Sequence, residues 1–237
     1  MYQGTGVYSP TDAARLINVP AYKIKRWLFG YDFSRSIRGE KQISSSPPLW
    51  MPQIAPTEFD TKIIGFNDLL EIRFVDAFVR FGLPLTVVRR CLNTAKELYK
   101  IDFPLTSGKF KTDGKTIFAQ AIEQARDEDL LDLRNKQFAF NEIFKPSLYA
   151  GIEYEGNLAS KWYPNQKDHE IVLDPKRQFG TPIIDEVNIP TSAIYSSYLS
   201  EGADSASLKT TSNIFDIPEK LVASAIKFET GLLKNLH

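Results

Sequence analysis

Tyr8 to Phe29, YSPTDAARLINVPAYKIKRWLF, reads as two short helices joined by a tight turn, the second of them basic. Ser9 is placed to cap the first helix and Pro10 suits its first turn, while Ala13, Ala14, Leu16 and Ile17 give it a small apolar face. Asn18 and Val19 make the turn. Pro20 restarts the chain as a helix in which Ile24, Trp27 and Leu28 recur at helical spacing, leaving Lys23, Lys25 and Arg26 for the outside. This is the layout of a helix-turn-helix, whose second helix can enter a DNA major groove. Tyr22 is placed to help position that helix.

Working outward, residues 30–61 are too rich in proline and serine for helix. They carry Arg35, Arg38 and Lys41, then Ser44-Ser45-Ser46-Pro47-Pro48 and LWMPQIAP. A wing loop with basic residues near its tip would touch phosphates or the minor groove, and a surface loop is the plainer alternative. Trp50 and Met51 are expected to anchor it to the domain. Lys62 to Phe66 is a strand candidate, Asn67 or Asp68 caps a helix that Gly82 ends, and Pro84 opens the next. Asp113-Gly114 between Phe110-Lys111-Thr112 and Lys115-Thr116-Ile117-Phe118 predicts a hairpin. Short strand candidates then recur at GIEYE, LASKWYP, EIVLD and TPIID, a small antiparallel sheet. Three further helices follow, SAIYSSYLSEG, a second capped by Asp204 or Ser205, and a third begun by Pro218. The last two repeat the helix-turn-helix layout, but Glu219 and Glu229 offset Lys220 and Lys227, so the final helix reads as a protein-binding or dimerising element.

The expected class is mainly α with small β elements (α+β): a winged helix-turn-helix head over 1–118, an acidic helical connector with strands over 119–168, and a sheet followed by a three-helix bundle over 169–237. The 237 residues are 43 % hydrophobic, enough for packed cores. Formal net charge is zero, but residues 1–118 hold 17 Lys and Arg against 11 Asp and Glu, a net of +6, and residues 119–237 hold 12 against 18, a net of −6. A DNA-facing half joined to one that faces a basic protein fits this division, as do two ordinary solvated surfaces. The most apolar region, Leu69 to Leu92, is broken by charges, and MYQGTGVYS has no basic segment leading into an apolar one, so a cytoplasmic protein without a membrane partner is expected.

Little points to catalysis. Cys91 is the single cysteine and only His169 and His237 accompany it, which argues against a zinc site. Asp127, Glu128, Asp129 and Asp132 crowd one expected helix instead of converging from several elements, and read as a solvated face. No phosphate-binding glycine loop or Gly-x-Ser-x-Gly elbow occurs, and His169 beside Glu170 suits a turn. No enzyme, metal or cofactor is expected.

The order helix-turn-helix, wing, then LLEIRFVDAFVRFGLPLTVVRRCL resembles the DNA-binding domain of the MerR regulators. It departs from that pattern in its longer wing loop and in lacking a long dimerisation coiled coil. From Glu170 to about Leu233, EIVLDP, FGTPIID, IPTSAIYSSYLSEG and FDIPEKLVASAIKFE resemble the small domain of VapB-type antitoxins that accompany PIN-like ribonuclease toxins. Together the resemblances imply an antitoxin with a MerR-like head that captures a PIN-like toxin and represses its own operon at operator DNA, as a homodimer on paired half-sites. The alternative is a stand-alone MerR-like regulator whose C-terminal half binds a ligand or dimerises.

Overall fold

The computed structural model describes residues 4–37, 40–123, 146–165 and 167–235. In chain order these form α1 (Pro10–Ile17), α2 (Ala21–Phe29), β1 (Tyr31–Ile37), β2 (Glu40–Ser46), α3 (Phe66–Arg80), α4 (Leu85–Tyr99), α5 (Gly108–Glu123) and the short α6 (Pro146–Tyr149). There follow β3 (Ile152–Glu155), β4 (Leu158–Trp162), β5 (Ile171–Val172), β6 (Ile183–Ile184), β7 (Ile189–Pro190), α7 (Thr191–Ser200), α8 (Ser205–Phe215) and α9 (Glu219–Lys234). The class is α+β, with all described sheets small and antiparallel.

One turn recurs at three helix starts. Asn18, Gly82 and Asp216 take left-handed backbone at φ 53°, 86° and 51°. Each is followed by a buried apolar residue, Val19, Leu83 or Ile217, and then by Pro20, Pro84 or Pro218 as N-cap. The left-handed residue reverses the chain and the apolar residue drops into the core. Proline then fixes a helix-ready φ without wasting an N–H. Its carbonyl accepts the first helical bonds, from Lys23 and Ile24, from Val87 and Val88, and from Leu221 and Val222. The helix pairs α1–α2 and α8–α9 therefore share a turn as well as a sequence layout.

The larger core is built around α3, which buries Phe66, Leu69, Leu70, Ile72, Phe74, Val75 and Phe78 and is wrapped on nearly all sides. Ala13 of α1 and Ile24, Trp27 and Leu28 of α2 pack into it, as do Val87, Val88, Cys91 and Leu92 of α4. This core does not stop at residue 118, because Tyr149, Ile152, Ala159, Trp162 and Leu173 belong to it. A smaller core of Ile171, Ile184, Ile194, Ile217, Leu221, Val222 and Ala225 holds α7, α8 and α9 to the three-stranded sheet.

Several expectations need correction. Residues 110–118 are not a hairpin but part of α5. Phe110, Gly114, Ile117 and Phe118 recur on one helical face and are buried, and the Ser107 hydroxyl caps the start by accepting from Phe110 N at 3.1 Å. Packing of that face on α4 outweighs the local turn preference of Asp113-Gly114. Lys62 to Phe66 forms no strand, only an isolated bridge between Ile64 and Tyr8. The expected single sheet is two, β3–β4 and β5–β6–β7, stitched by a bridge between Trp162 and Leu173. The acidic run 127–132 lies outside the described residues.

Among the described residues no helix is long and apolar enough to cross a membrane, and no group of three or more His, Cys, Asp or Glu is placed to hold a metal ion.

Candidate nucleic-acid interface

Helix α2 is fixed from behind and open in front. Ile24, Trp27 and Leu28 are buried, and the turn at Pro20 sets the helix direction. Tyr22, Lys25, Arg26 and Phe29 share the opposite face by helical spacing. Tyr22 is 61 % exposed, and Lys25 and Arg26 are exposed as well. Lys23 lies to the flank, half-buried, with its Nζ 6.0 Å from the Trp27 ring. It faces Asp76, whose carboxyl burial pushes up while Arg80 and Lys23 pull it down. The three basic residues of α2 are therefore not equivalent.

The segment after α2 is a regular antiparallel hairpin of two seven-residue strands rather than an irregular loop. Serine-rich strands give little local signal, and the long-range pairing that makes them is a tertiary matter. Gly30, at φ 73°, joins it to α2, and a Cβ there would stand 2.6 Å from the Ser46 carbonyl oxygen. The Arg26 guanidinium lies 3.7 Å over the Tyr31 ring. Hydrogen bonding to Arg26, more than its charge, holds the Tyr31 phenol below its ordinary value. Arg35 falls on β1 opposite Gln42, and Lys41 on β2 opposite Ser36 and exposed. Arg38 lies outside the described residues.

The base of the hairpin is braced by residues that the sequence pattern leaves unassigned. Arg89 of α4 donates to the carbonyls of Pro48 at 2.6 Å and Pro47 at 2.9 Å, and Leu49 N donates to Trp27 O at 2.8 Å. Trp50 anchors as expected, donating from Nε1 to Asp68 at 2.8 Å, and Asp68 also accepts from Gln53 N and Gly65 N. Burial raises the Asp68 carboxyl to about 6 despite these bonds. Met51 does not anchor; it is 73 % exposed. Lys62, 4.9 Å over the Phe29 ring, lines an open groove with Lys25, Ser9 and Thr61. Arg89 stands off the apolar stripe of α4, a legible hint, whereas no sequence pattern brings Lys62 to Lys25.

The two halves meet along α1. Tyr8 donates from its hydroxyl to Gly180 O at 2.8 Å and Val7 N donates to Phe179 O. Asn235 donates from Nδ2 to Arg15 O at 2.9 Å, across the whole chain.

No protein family matches the chain. Over 194 residues it is 28 % identical to a Mycobacterium tuberculosis protein named "Putative antitoxin VapB45", covering 76 % of this chain and 77 % of that one. It also resembles the X-ray crystal structure of Rv2018 from Mycobacterium tuberculosis, with a TM-score of 0.67 and 19 % identity over 95 % of this chain and 100 % of that one. The second likeness is one of fold.

Proposed function

We propose that this protein is the antitoxin of a type II toxin-antitoxin system, which binds and neutralises a PIN-like ribonuclease toxin and represses its own operon as a homodimer on operator DNA. The similarity to the VapB45 protein carries the first part of this reading. The open face of α2, pinned to a hairpin by Arg26 and Tyr31, supports the second.

In this reading α2 enters the major groove with Tyr22, Lys25 and Arg26 forward and Lys23 at its flank, and Arg35, Arg38 and Lys41 of the hairpin meet the backbone in a winged helix-turn-helix arrangement. The C-terminal sheet and bundle, with the acidic balance of their half, hold the toxin. No step is catalytic.

A reading frame for a small nuclease is expected beside the gene, and co-expression with it should yield a co-purifying complex that suppresses its ribonuclease activity. The same complex should retard the DNA fragment upstream of the gene. A folded Lys23/Lys25/Arg26 triple-alanine variant that retards this fragment as well as the parent does would remove α2 from the reading.

A further inference from the structure

The loop over residues 174–181 presents an aromatic ring to solvent from backbone that disfavours it. Gln178, Phe179 and Gly180 are successive left-handed residues, at φ 46°, 53° and 81°. Glycine takes such angles freely, whereas a Cβ at the first two positions crowds the following carbonyl oxygen. Phe179 is nevertheless 67 % exposed, the most exposed large hydrophobic residue described beyond residue 118. Burial of the ring therefore does not account for its place on this backbone.

The loop is fixed from several sides. Gly180 N donates to Arg177 O at 2.9 Å and Thr181 N to Gln178 O at 3.0 Å, while Phe179 O accepts from Val7 N at 2.9 Å. Gly180 is buried, and a Cβ there would stand 2.4 Å from the Tyr8 hydroxyl oxygen. Arg177 spans the buried Asp174, at 2.9 Å, and Asp185, and Lys176 pairs with Glu155 at 2.6 Å. A side chain on so determined a backbone loses little freedom when a partner covers it, and aromatic rings are enriched at the centres of protein interfaces. Val7, itself 39 % exposed, also lines a cavity of about 320 Å³ with Tyr195, Leu232 and Leu233. Apolar surface therefore continues beside the loop.

The charge of the surroundings selects the partner. The loop's two cations, Lys176 and Arg177, meet three carboxylates, Glu155, Asp174 and Asp185, which leaves no unpaired positive charge for phosphate. At the cavity Asp12 and Glu229 likewise outnumber Arg15. Duplex DNA is disfavoured on such a surface, and so is a second copy of the chain, because a two-fold interface brings the same acidic patch against itself. A nuclease that holds RNA needs a cationic surface, which an acid-rimmed ring complements. We infer that Phe179 is the apolar anchor by which this protein holds its toxin, entering a pocket on the nuclease that is rimmed with basic residues. This rests on the proposed antitoxin reading and names a contact of its toxin-binding half.

The test is biolayer interferometry of the full chain against the purified nuclease encoded beside its gene. Melting temperature, sedimentation velocity and retardation of the upstream DNA fragment are measured on each variant. Phe179→Gly suits the left-handed angle, so it should melt no lower than the parent. It should nevertheless bind the nuclease on the order of thirtyfold more weakly, the scale of an interface hot spot. Phe179→Tyr should keep most of the affinity, and both variants should match the parent in oligomeric state and DNA retardation. A parent that binds alongside an equally tight Phe179→Gly variant overturns this inference alone. So does a Phe179→Gly deficit that comes with a lower melting temperature, which would make the ring a packing element. A deficit that comes with a changed oligomeric state or lost DNA retardation overturns it too, by assigning the ring to a second copy or to DNA. A parent that binds no such nuclease overturns the antitoxin reading itself, and the anchor with it.

Discussion

Ending the chain after Phe118 keeps both helices of the α1–α2 pair, the hairpin and α3 to most of α5, yet it should not leave a folded unit. The cut removes Tyr149, Ile152, Trp162 and Leu173, each buried at 9 % exposure or less in the same core as α3. Burying a large apolar side chain contributes about 1.5–3 kcal/mol, so four contribute about 6–12 kcal/mol as an upper range. That is comparable with the whole net stability of a typical domain, about 5–15 kcal/mol. The loss is polar as well. Arg73, which burial lowers to about 10, donates to Leu148 O at 2.8 Å and lies 5.1 Å over the Trp162 ring. Truncation exposes this cation and the Phe74 ring that meets Tyr149 edge-on at 4.8 Å. Thermal unfolding by circular dichroism should show no cooperative transition for residues 1–118 and a clear one for the full chain. A cooperative melt of the fragment within a few degrees of the full chain would refute the reasoning.

Burial raises Glu71 to about 8 and Asp68 to about 6 from ordinary values of 4.5 and 3.8. The folded chain therefore holds more protons than the unfolded chain between those limits, so stability should fall as pH rises through the window. Melting temperatures measured from about pH 5 to about pH 9 should decline, with a flatter slope in Glu71→Gln; a rising profile would contradict this. Trp50→Phe removes the 2.8 Å bond to Asp68 and should cost about 1.5–3 kcal/mol in urea unfolding, while an unchanged midpoint would mean that the anchor adds nothing. Burial pushes the Cys91 thiol up to about 12, so the native chain should resist iodoacetamide at neutral pH until denatured. Rapid native alkylation would place Cys91 outside the core.

What was legible in the sequence was mostly helix punctuation. Ser9 and Pro10, Pro20, Gly82 and Pro84, Asp204 and Pro218 all act locally, and the helices start or stop within a residue or two of them. Asp113-Gly114 is equally local but misleads, because the buried face of α5 has its partner on α4. The hairpin was hidden for the opposite reason: Ser34, Ser36, Ser44, Ser45 and Ser46 carry no apolar alternation, and pairing with β1 is what makes β2 a strand. Around the candidate site, residue types were readable but orientations were not. Lys23 and Lys25 are two positions apart, so one flanks Asp76 while the other points outward, and only the packing of Ile24 and Trp27 decides which.

The opposite charges of the two halves suggest two modules on a string, yet α1 belongs to both. Ala13 faces the larger core beneath α3, while the Arg15 carbonyl accepts from Asn235 at the end of α9, and the segment leading into α1 is tied through Val7 and Tyr8 to Phe179 and Gly180. The Tyr8 hydroxyl bond is buried, so breaking it leaves polar groups unpaired at a cost of about 1–3 kcal/mol. A shift of the C-terminal bundle large enough to matter must therefore break these bonds or carry α1 with it. Since the turn at Asn18, Val19 and Pro20 fixes α2 on α1, the direction in which Tyr22, Lys25 and Arg26 face depends on how α9 and the Phe179 loop are seated.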